Sequence, residues 1–394
     1  MKATILPLAL ALLIASPAAA QPAPPACPCP SSVRGAEEVD PQALQLFIDT
    51  LKRVRGSAVD RRSDRDLAEA AARGMLQSLD RHSTYLDPGA VERSRSTMNG
   101  AFAGIGIQLA MPAGRLTVAA PMPESPAARA GILAGDRILA ADGAALAGLS
   151  VEQAVERLRG APGTPVTLRL ERDGKAFNVT LERAVIRTRP VTWETDRGIG
   201  YVRIALFNRD TRAELGRAMA ALDGTVAGYV IDLRDNPGGL LDQAVRVADA
   251  FLESGTITTI RGRDSAVLQR FTASRGDLAG GRPMAVLING ASASASELVA
   301  GALQDHGRAV VVGTRSFGKG TVQSTAAVNG GGAIKMTTGR YHTPGDRAVD
   351  RVGIAPDVVV EQPRRAGGRT DTAADNQRRH AVDLILSRAG KRPA

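Results

Sequence analysis

The chain has 394 residues and a mass of 41.0 kDa, a length that usually holds two to three domains. Aromatic residues make up only 3% of it, which disfavours a nucleic-acid binder that stacks bases on aromatic platforms. Four His and two Cys leave few ligands for a zinc cluster. We therefore expect an aliphatic-cored, multidomain protein that uses no metal, no cofactor and no nucleic-acid partner.

The first twenty residues have the pattern of an export signal. A basic start at Lys2 precedes the apolar run 5–14, and the small residues 18–20 fit the signal-peptidase rule. We expect cleavage after Ala20 and export to the bacterial periplasm or cell envelope, with an uncleaved anchor as the alternative. Residues 21–39 form a Pro-rich linker that contains both cysteines, so no disulfide framework holds the core.

Residues 40–100 are predicted to be helical. Asp40 followed by a proline is a helix start, and apolar residues then recur at helical spacing. A second amphipathic helix is expected at 64–79, followed by a loop at 80–88 and a short polar helix that ends near Gly100. Two amphipathic helices bury little by themselves, so we expect an arm that docks or forms a homo-oligomer.

Residues 101–186 have the pattern of a small, strand-rich module. Strands are expected at 104–107, 116–119, 136–141, 166–170 and 177–181, and helices at 125–130 and 151–158. A capping box pairs Ser150 with Gln153 at the start of the second helix. The sequence Asp173-Gly174 predicts a hairpin turn between the last two strands.

Parts of this module resemble a PDZ domain. The matching segments are Gly104-Ile105-Gly106-Ile107, 125–131 and 135–139. The resemblance implies that backbone N–H groups of the first segment hold a chain-terminal carboxylate, and that the strand after it pairs with a peptide. We expect Ile105, Ile107, Val155 and Leu158 to line an apolar groove.

Residues 187–362 alternate between strands and helices, which predicts a layered α/β domain. Strands are expected at 198–206, 228–233, 284–288, 309–312, 321–325 and 333–338, and helices at 211–222, 240–252 and 296–303. The fold class is therefore α/β, mixed and multidomain, with a helical arm, a PDZ-like module and a layered α/β domain.

Residues 363–394 form a basic C-terminal tail, with eight Arg or Lys against three Asp. We expect this tail to be a solvated, flexible end. Contact with an anionic membrane surface is the alternative.

Two short motifs in the α/β domain have weak support as catalytic signals. Residues 313–319 carry most of a phosphate loop, but Gly320 stands where a magnesium-binding Ser or Thr is needed. Residues 316–319 match a Ser-x-x-Lys box, yet the companion Ser-Asp-Asn and Lys-Thr-Gly elements do not occur in the sequence.

Ser294 is open to three interpretations. With His306 and the aspartate before it, Ser294 could form a Ser-His-Asp triad, but His306 equally fits a C-terminal helix cap. With Lys319, which a glycine-flanked loop delivers, Ser294 could form a dyad at a helix N-terminus, where an oxyanion is favoured. With Glu297, Ser294 fits a capping box, and the spacing alone favours this structural role.

Three blocks in this domain together resemble the signature of the C-terminal processing peptidases, also called tail-specific proteases. The blocks are Asp232–Leu241, Ser292–Glu297 and Ser316–Gln323, with further matches at 80–85, 337–341 and 353–357. The order of these segments is that of the family, and together they cover residues from roughly 40 to 360.

The resemblance implies a role for each matching residue. Ser294 would be the nucleophile, Lys319 the general base, and Gln323 the residue that orients the lysine. The backbone N–H of Ala295, with one from the turn Gly238-Gly239, would form the oxyanion hole.

The family assignment implies a serine endopeptidase with a PDZ-like domain that acts on protein or peptide substrates with free apolar C-termini. The alternative is a peptide-binding adaptor on the same fold that does not cut. The intact set of Ser294, Lys319 and Gln323 favours the enzyme.

Overall fold

The computed structural model describes residues 39–362 and 375–390. The predicted signal peptide and the linker up to residue 38 lie outside the described residues. Within those two ranges, no helix is long and apolar enough to cross a membrane.

The region before the PDZ-like module is mainly helical, as expected. Its elements are α1 (Pro41–Ser57), α2 (Asp64–Leu79), β1 (Thr84–Leu86) and α3 (Pro88–Met98). Asp40 caps α1 by accepting the Gln42 N–H at 2.9 Å, and a capping box of Ser63 and Asp66 starts α2. The helix α1 contains no buried residue and leaves Phe47 exposed. The loop expected after α2 contains the short strand β1.

The PDZ-like module contains a six-stranded sheet, a separate pair of strands and two short helices. Its elements are β2 (Ala101–Gly104), β3 (Ile107–Ala110), β4 (Thr117–Pro121), α4 (Pro126–Arg129), β5 (Arg137–Ala141), β6 (Ala144–Ala145), α5 (Val151–Leu158), β7 (Pro165–Arg172), β8 (Lys175–Glu182) and β9 (Ala184–Arg187). The strand order is β3-β4-β5-β7-β8, with β6 beside β5, and β2 pairs separately with β9. The predicted capping box of Ser150 and Gln153 is confirmed.

The strand expected at 104–107 is wrong in its bounds. β2 ends at Gly104 and β3 begins at Ile107, so Ile105 and Gly106 form a bend between two strands that belong to different sheets. Gly106 has φ 74°, and an added Cβ would lie 2.3 Å from the Ser125 Cβ. Only glycine fits this bend, because other residues rarely adopt such a φ and the space is filled.

The α/β domain is built on a six-stranded sheet. Its elements are β10 (Val191–Asp196), β11 (Ile199–Ile204), α6 (Thr211–Leu222), β12 (Tyr229–Asp232), α7 (Leu241–Asp249), β15 (Met284–Ile288), α8 (Ala295–Asp305), β16 (Val310–Gly313), β19 (Val358–Val359) and α9 (Asn376–Ala389). The order is β10-β11-β12-β15-β16-β19, parallel except for the β10–β11 pair. Every residue of β12 and β15 is buried, because helices cover both faces. Residues 233–240, which follow β12, are called the glycine loop below.

A second sheet connects the helical arm with the α/β domain. It contains β13 (Thr256–Arg261), β14 (Val267–Thr272), β17 (Thr321–Ala327) and β18 (Ala333–His342), and β1 pairs with β18 at its edge. The hairpin β13–β14 has no counterpart among the predicted elements. Because β1 joins this sheet, the segment before the PDZ-like module lies beside the α/β domain.

The prediction of a flexible C-terminal tail is wrong for residues 375–390. These residues contain α9, whose Ala381, Val382 and Ile385 are fully buried against the six-stranded sheet. The helix covers the face of the sheet opposite α6, α7 and α8. Residues 363–374 and 391–394 of the predicted tail lie outside the described residues.

Candidate active site

The turn between β15 and α8 leaves one of its three serines available. Ser292 and Ser296 are buried, and their hydroxyls donate to the carbonyls of Leu233 at 2.8 Å and Asn236 at 2.9 Å. Ser294 is half-buried, and none of the hydrogen bonds among the described residues has its hydroxyl as donor. Ser294 is therefore the serine whose hydroxyl is left for chemistry.

Ser294 is the N-cap residue of α8 and has an unusual backbone conformation. Its φ is 55° and its ψ is −113°. Residues other than glycine enter such regions at a cost of about 1–3 kcal/mol, and they do so mainly at functional sites. The free N–H of Ala295 and the dipole at this helix N-terminus favour negative charge beside the serine.

One buried carboxylate joins this turn to the loop that carries Lys319. Glu297 Oε2 accepts the N–H of Ser294 at 2.7 Å and the N–H of Lys319 at 2.9 Å. Its Oε1 accepts the N–H of Gly318 at 2.7 Å and the hydroxyl of Ser316 at 2.6 Å. The carboxylate thus caps α8, as the capping-box pattern predicts, and it also holds the lysine loop in place.

These contacts exclude two of the competing motifs. The N–H groups of Gly318 and Lys319 donate to Glu297 inside the protein, so they are not available to cradle a phosphate. Ser316 is buried, with its hydroxyl donating to Glu297 and its Oγ accepting the Ile354 N–H at 2.6 Å. The serine of the Ser-x-x-Lys box is therefore a structural residue.

Neither a Ser-His-Asp triad nor a metal centre is assembled in the described residues. Ser294 and His306 lie at opposite ends of α8, as N-cap and C-cap. The His306 ring hydrogen-bonds with the Thr256 carbonyl at 2.7 Å, and Asp305 accepts the Gly345 N–H at 2.7 Å. No group of three or more His, Cys, Asp or Glu in the same ranges could hold a metal ion.

Lys319 has the environment of a lysine with a lowered pKa. Its side chain is half-buried and makes no hydrogen bond or ion pair within the described part of the chain. Burial lowers the pKa of Lys319 below the ordinary value of 10.5, and the charge of Lys335 lowers it further, against the opposite effect of Glu297 and Asp80. No described hydrogen bond joins Lys319 Nζ to Ser294 Oγ.

The glycine loop packs directly against Ser294. An added Cβ on Gly238 would lie 2.8 Å from the Ser294 Cβ, so the loop can approach the serine this closely only with glycine there. The Gly238 N–H donates to Asn236 Oδ1 at 2.8 Å. None of the described hydrogen bonds uses the N–H of Gly239 or Ala295. Of the two glycines in the predicted oxyanion hole, Gly239 is the one with a free donor.

No hydrogen bond joins Gln323 to Lys319 among the described residues. It lies next to a β-bulge in β17, and its Nε2 donates to the His82 carbonyl at 2.6 Å. Its Oε1 makes no hydrogen bond among the described residues. Gln323 therefore ties the segment after α2 to β17 and keeps an acceptor oxygen unused.

A cleft of about 540 Å³ beside the lysine loop has no role in the sequence-based prediction. Arg81 and His82 line one wall, and Phe317 and Thr321 line another. The Arg81 guanidinium lies over the Phe317 ring, 5.2 Å from its centroid, so these two lining residues interact with each other. Burial lowers the pKa of His82, and the charge of the nearby Lys319 adds to the effect. The family match at residues 80–85 is the sequence signal that could have predicted a place for Arg81 and His82 at the site.

The PDZ-like module keeps an open strand edge beside its glycine bend. β3 is the end strand of its sheet and pairs only with β4, and the N–H groups of Ile105 and Gly106 donate to no described acceptor. The side chains of Ile105 and Leu158 are 2% and 4% exposed and belong to the core, which corrects the expectation that they line a groove. Ile107 and Val155 are half-buried.

Comparison with known proteins agrees with this architecture. A family model for Peptidase family S41 matches residues 198–360, and a PDZ domain model matches residues 117–172. The carboxy-terminal-processing protease of Bartonella bacilliformis is 44% identical over 327 residues, which cover 81% of this chain and 75% of the relative. The carboxyl-terminal-processing protease of Synechocystis sp. is 36% identical over 333 residues, which cover 82% of this chain and 78% of the relative.

A solved structure supports the same assignment. The photosystem II D1 C-terminal processing protease is 30% identical and superimposes with a TM-score of 0.50 over 80% of this chain and 86% of that protein. The similarity to these relatives thus extends beyond the residues that the two domain models match. The chain belongs to the carboxy-terminal-processing proteases of peptidase family S41, and it is a serine-type peptidase with a PDZ domain.

Proposed function

We propose that this chain is an exported endopeptidase that binds the C-terminal ends of protein substrates and cuts them with a Ser294–Lys319 dyad. The observation that carries this proposal is the position of both residues on one buried carboxylate. Glu297 Oε2 accepts the N–H groups of Ser294 and Lys319, so the strained serine and the half-buried lysine are held on the same anchor.

In the proposed reaction, the Ser294 hydroxyl attacks the scissile carbonyl while its proton passes to the neutral Lys319 amine. The resulting ammonium then protonates the leaving amine, and water hydrolyses the acyl-enzyme by the same steps. The lowered pKa of Lys319 supports the role of base, because it increases the neutral fraction of the amine. Catalytic hydrogen bonds are often long in free enzymes and shorten when substrate binds, so we propose that Lys319 reaches Ser294 in the substrate complex.

The proposed oxyanion hole uses the N–H groups of Ala295 and Gly239. Both lack an acceptor among the described residues, whereas the Gly238 N–H is engaged by Asn236. Each such donor stabilises the charge that develops on the carbonyl oxygen in the transition state. For Gln323 we keep the proposed orienting role, since its Nε2 is fixed on a carbonyl and its Oε1 is free to accept from the Lys319 amine.

The PDZ domain is proposed to select substrates by their free C-terminus. The unused N–H groups of Ile105 and Gly106 would hold the terminal carboxylate, and the open edge of β3 would pair with the preceding residues. Ile107 and Val155 would contact an apolar last side chain. Binding there would raise the effective concentration of the substrate near Ser294.

The proposed location is the periplasm or cell envelope of a bacterium, with the signal cleaved after Ala20. Two further partners are proposed with it. The N-terminal helices, of which α1 leaves Phe47 exposed, would form a homo-oligomer, and basic residues of the region 363–394 would contact an anionic membrane surface.

The decisive experiment compares two serine variants of the full chain. Ser294→Ala should abolish hydrolysis of an unfolded protein substrate and leave the thermal unfolding midpoint close to that of the unchanged chain. Ser316→Ala should keep measurable hydrolysis, although it loses buried hydrogen bonds to Glu297 and Ile354. Full hydrolysis by Ser294→Ala would assign the reaction to another nucleophile, and no hydrolysis by the unchanged chain would leave the non-cutting adaptor as the explanation.

A further inference from the structure

The C-terminal helix α9 is joined to the glycine loop by one ion pair. Asp375, the N-cap of α9, accepts two parallel hydrogen bonds from Arg234, from one terminal nitrogen at 2.8 Å and from the other at 2.7 Å. Arg234 is the second residue of the glycine loop, and its side chain is buried. This two-bond geometry fixes the orientation of a guanidinium better than a single contact does.

Every N–H of the Arg234 guanidinium is used. Asp232 accepts from Nε at 3.0 Å and from Nη2 at 2.9 Å, and Gln377 accepts from Nη1 at 3.1 Å. The Tyr201 hydroxyl also accepts from Nη2, at 3.1 Å. Two carboxylates therefore compensate a buried guanidinium, and removing one leaves buried donors without acceptors, which is costly.

The helix holds Asp375 at a fixed position. Val382 and Ile385 are fully buried against the sheet, and the Gln377 side chain donates to the Val360 carbonyl at 2.7 Å. Arg378 stacks on the Tyr201 ring at 4.1 Å. These contacts anchor the first turn of α9, so Asp375 is delivered to Arg234 by a rigid element.

The glycine loop transmits the position of Arg234 to Ser294. Two residues after Arg234, the Asn236 side chain donates to the Ile204 carbonyl at 2.8 Å and accepts the Gly238 N–H at 2.8 Å. The Asn236 carbonyl accepts the Ser296 hydroxyl at 2.9 Å. Both ends of the segment from Arg234 to Gly238 are therefore anchored, and it has little freedom to adjust if one anchor is lost.

We propose that Asp375, supported by Gln377, is a positioning residue for the catalytic centre: it holds Arg234 and thereby sets the position of the Gly239 N–H in the oxyanion hole. This proposal rests on the proposed function, because it requires Gly239 to donate to the oxyanion. Asp375 lies outside both matched domain models, and its effect on the reaction runs through the glycine loop. The C-terminal helix is then a part of the active site and not only a cover for the sheet.

The test compares Asp375→Asn with Asp383→Asn in the full chain, using a peptide substrate. Asparagine keeps the size of Asp375 but loses the charge that faces Arg234. Asp383 lies on the same helix and makes an exposed ion pair with Arg197 at 2.9 Å, so it controls for the loss of a charge from α9. We expect kcat to fall at least about tenfold in Asp375→Asn, with KM within about twofold, because only a transition-state contact is disturbed. Asp383→Asn should keep both constants, and Asp375→Glu should recover part of kcat.

A second measurement separates positioning from folding. In the Ser294→Ala background, Asp375→Asn should bind the same peptide as tightly as the Ser294→Ala protein does, by fluorescence anisotropy. An unchanged kcat in Asp375→Asn would overturn the proposal, and so would a loss of peptide binding as large as the loss of kcat. Hydrolysis by Ser294→Ala itself would instead overturn the proposed function, whatever the Asp375 variants do.

Discussion

The Glu297 carboxylate accepts the backbone N–H of Lys319 at 2.9 Å, across 22 residues of sequence. The same oxygen also accepts the N–H of Ser294. Glu297 is fully buried, so these hydrogen bonds are shielded from water and define the separation of the two backbones. The proposed nucleophile and base are thus held by one side chain that need not take part in the reaction.

Replacement of Glu297 by Gln should impair both stability and catalysis. The amide group would place a donor where the carboxylate now accepts two N–H groups, and each buried donor left unpaired costs about 1–3 kcal/mol. We expect a lower thermal midpoint and a kcat reduced more than tenfold. Glu253→Gln, at an exposed acceptor of the Gly276 N–H, is the matched control and should change neither. A Glu297→Gln enzyme with unchanged kcat would contradict the anchoring role.

Lys319→Arg should lose about 10²–10⁴-fold in kcat, the usual contribution of a general base. A guanidinium stays protonated at every accessible pH, so it cannot accept the serine proton. In the unchanged enzyme, kcat/KM should rise with pH, since a base acts only when it is deprotonated. The rise should occur at an apparent pKa below 10.5, because burial and Lys335 lower the pKa of Lys319. A flat profile between pH 6 and pH 10 would remove Lys319 from the mechanism.

Lys335→Met should move this pH profile to higher pH. Lys335 is half-buried on β18 and has no hydrogen bond or ion pair among the described residues, and its charge lowers the pKa of Lys319. Methionine keeps an unbranched apolar stem but removes the charge, so the pKa of Lys319 should rise. The measurement is the pH dependence of kcat/KM. Lys175→Met, at an exposed position of β8, is the control and should leave the profile unchanged. An equal profile in Lys335→Met would show that the two ammonium groups do not interact.

Elements with strong local patterns are predictable from the sequence. The periodic apolar positions of α2 and the capping box of α5 predict the bounds of these helices correctly, because both helices are determined by contacts within one or two turns. The apolar run that precedes Asp232 in β12 and the apolar run of β15 indicate buried strands.

Elements that depend on distant contacts are not predictable in this way. The helix α9 has a basic composition that suggests a solvated tail, but Asp375 pairs with Arg234 across 141 residues. At the site, the family motifs predict Ser294 as the nucleophile and Lys319 as the base. They do not distinguish Gly238 from Gly239, since that distinction depends on which N–H the Asn236 side chain accepts.

A substrate with an amidated C-terminus should be cut more slowly than the same peptide with a free carboxylate. The amidated peptide would lose the charge-assisted hydrogen bonds that a free carboxylate accepts from the bend at Ile105 and Gly106, each worth about 1.5–3 kcal/mol. A charged last residue should also reduce cleavage, because it would be desolvated beside Ile107 and Val155. The measurement is kcat/KM for three peptides that differ only in the last residue or its terminal group.

The source of this selectivity can be assigned with two glycine variants. Gly106→Ala would drive a Cβ to within 2.3 Å of the Ser125 Cβ and deform the bend, whereas Gly143→Ala, at φ 78°, meets no atom within 4 Å. Both substitutions carry the strain of a positive φ, so Gly143→Ala controls for that strain. Only Gly106→Ala also displaces the proposed carboxylate donors. In Gly106→Ala, kcat/KM for the free carboxylate should fall to the value for the amide, while Gly143→Ala should keep the difference. If all three peptides are cut equally by the unchanged enzyme, the PDZ domain does not select substrates by their C-terminus. If Gly106→Ala preserves the preference, the carboxylate is bound elsewhere, because a deformed bend could not hold it.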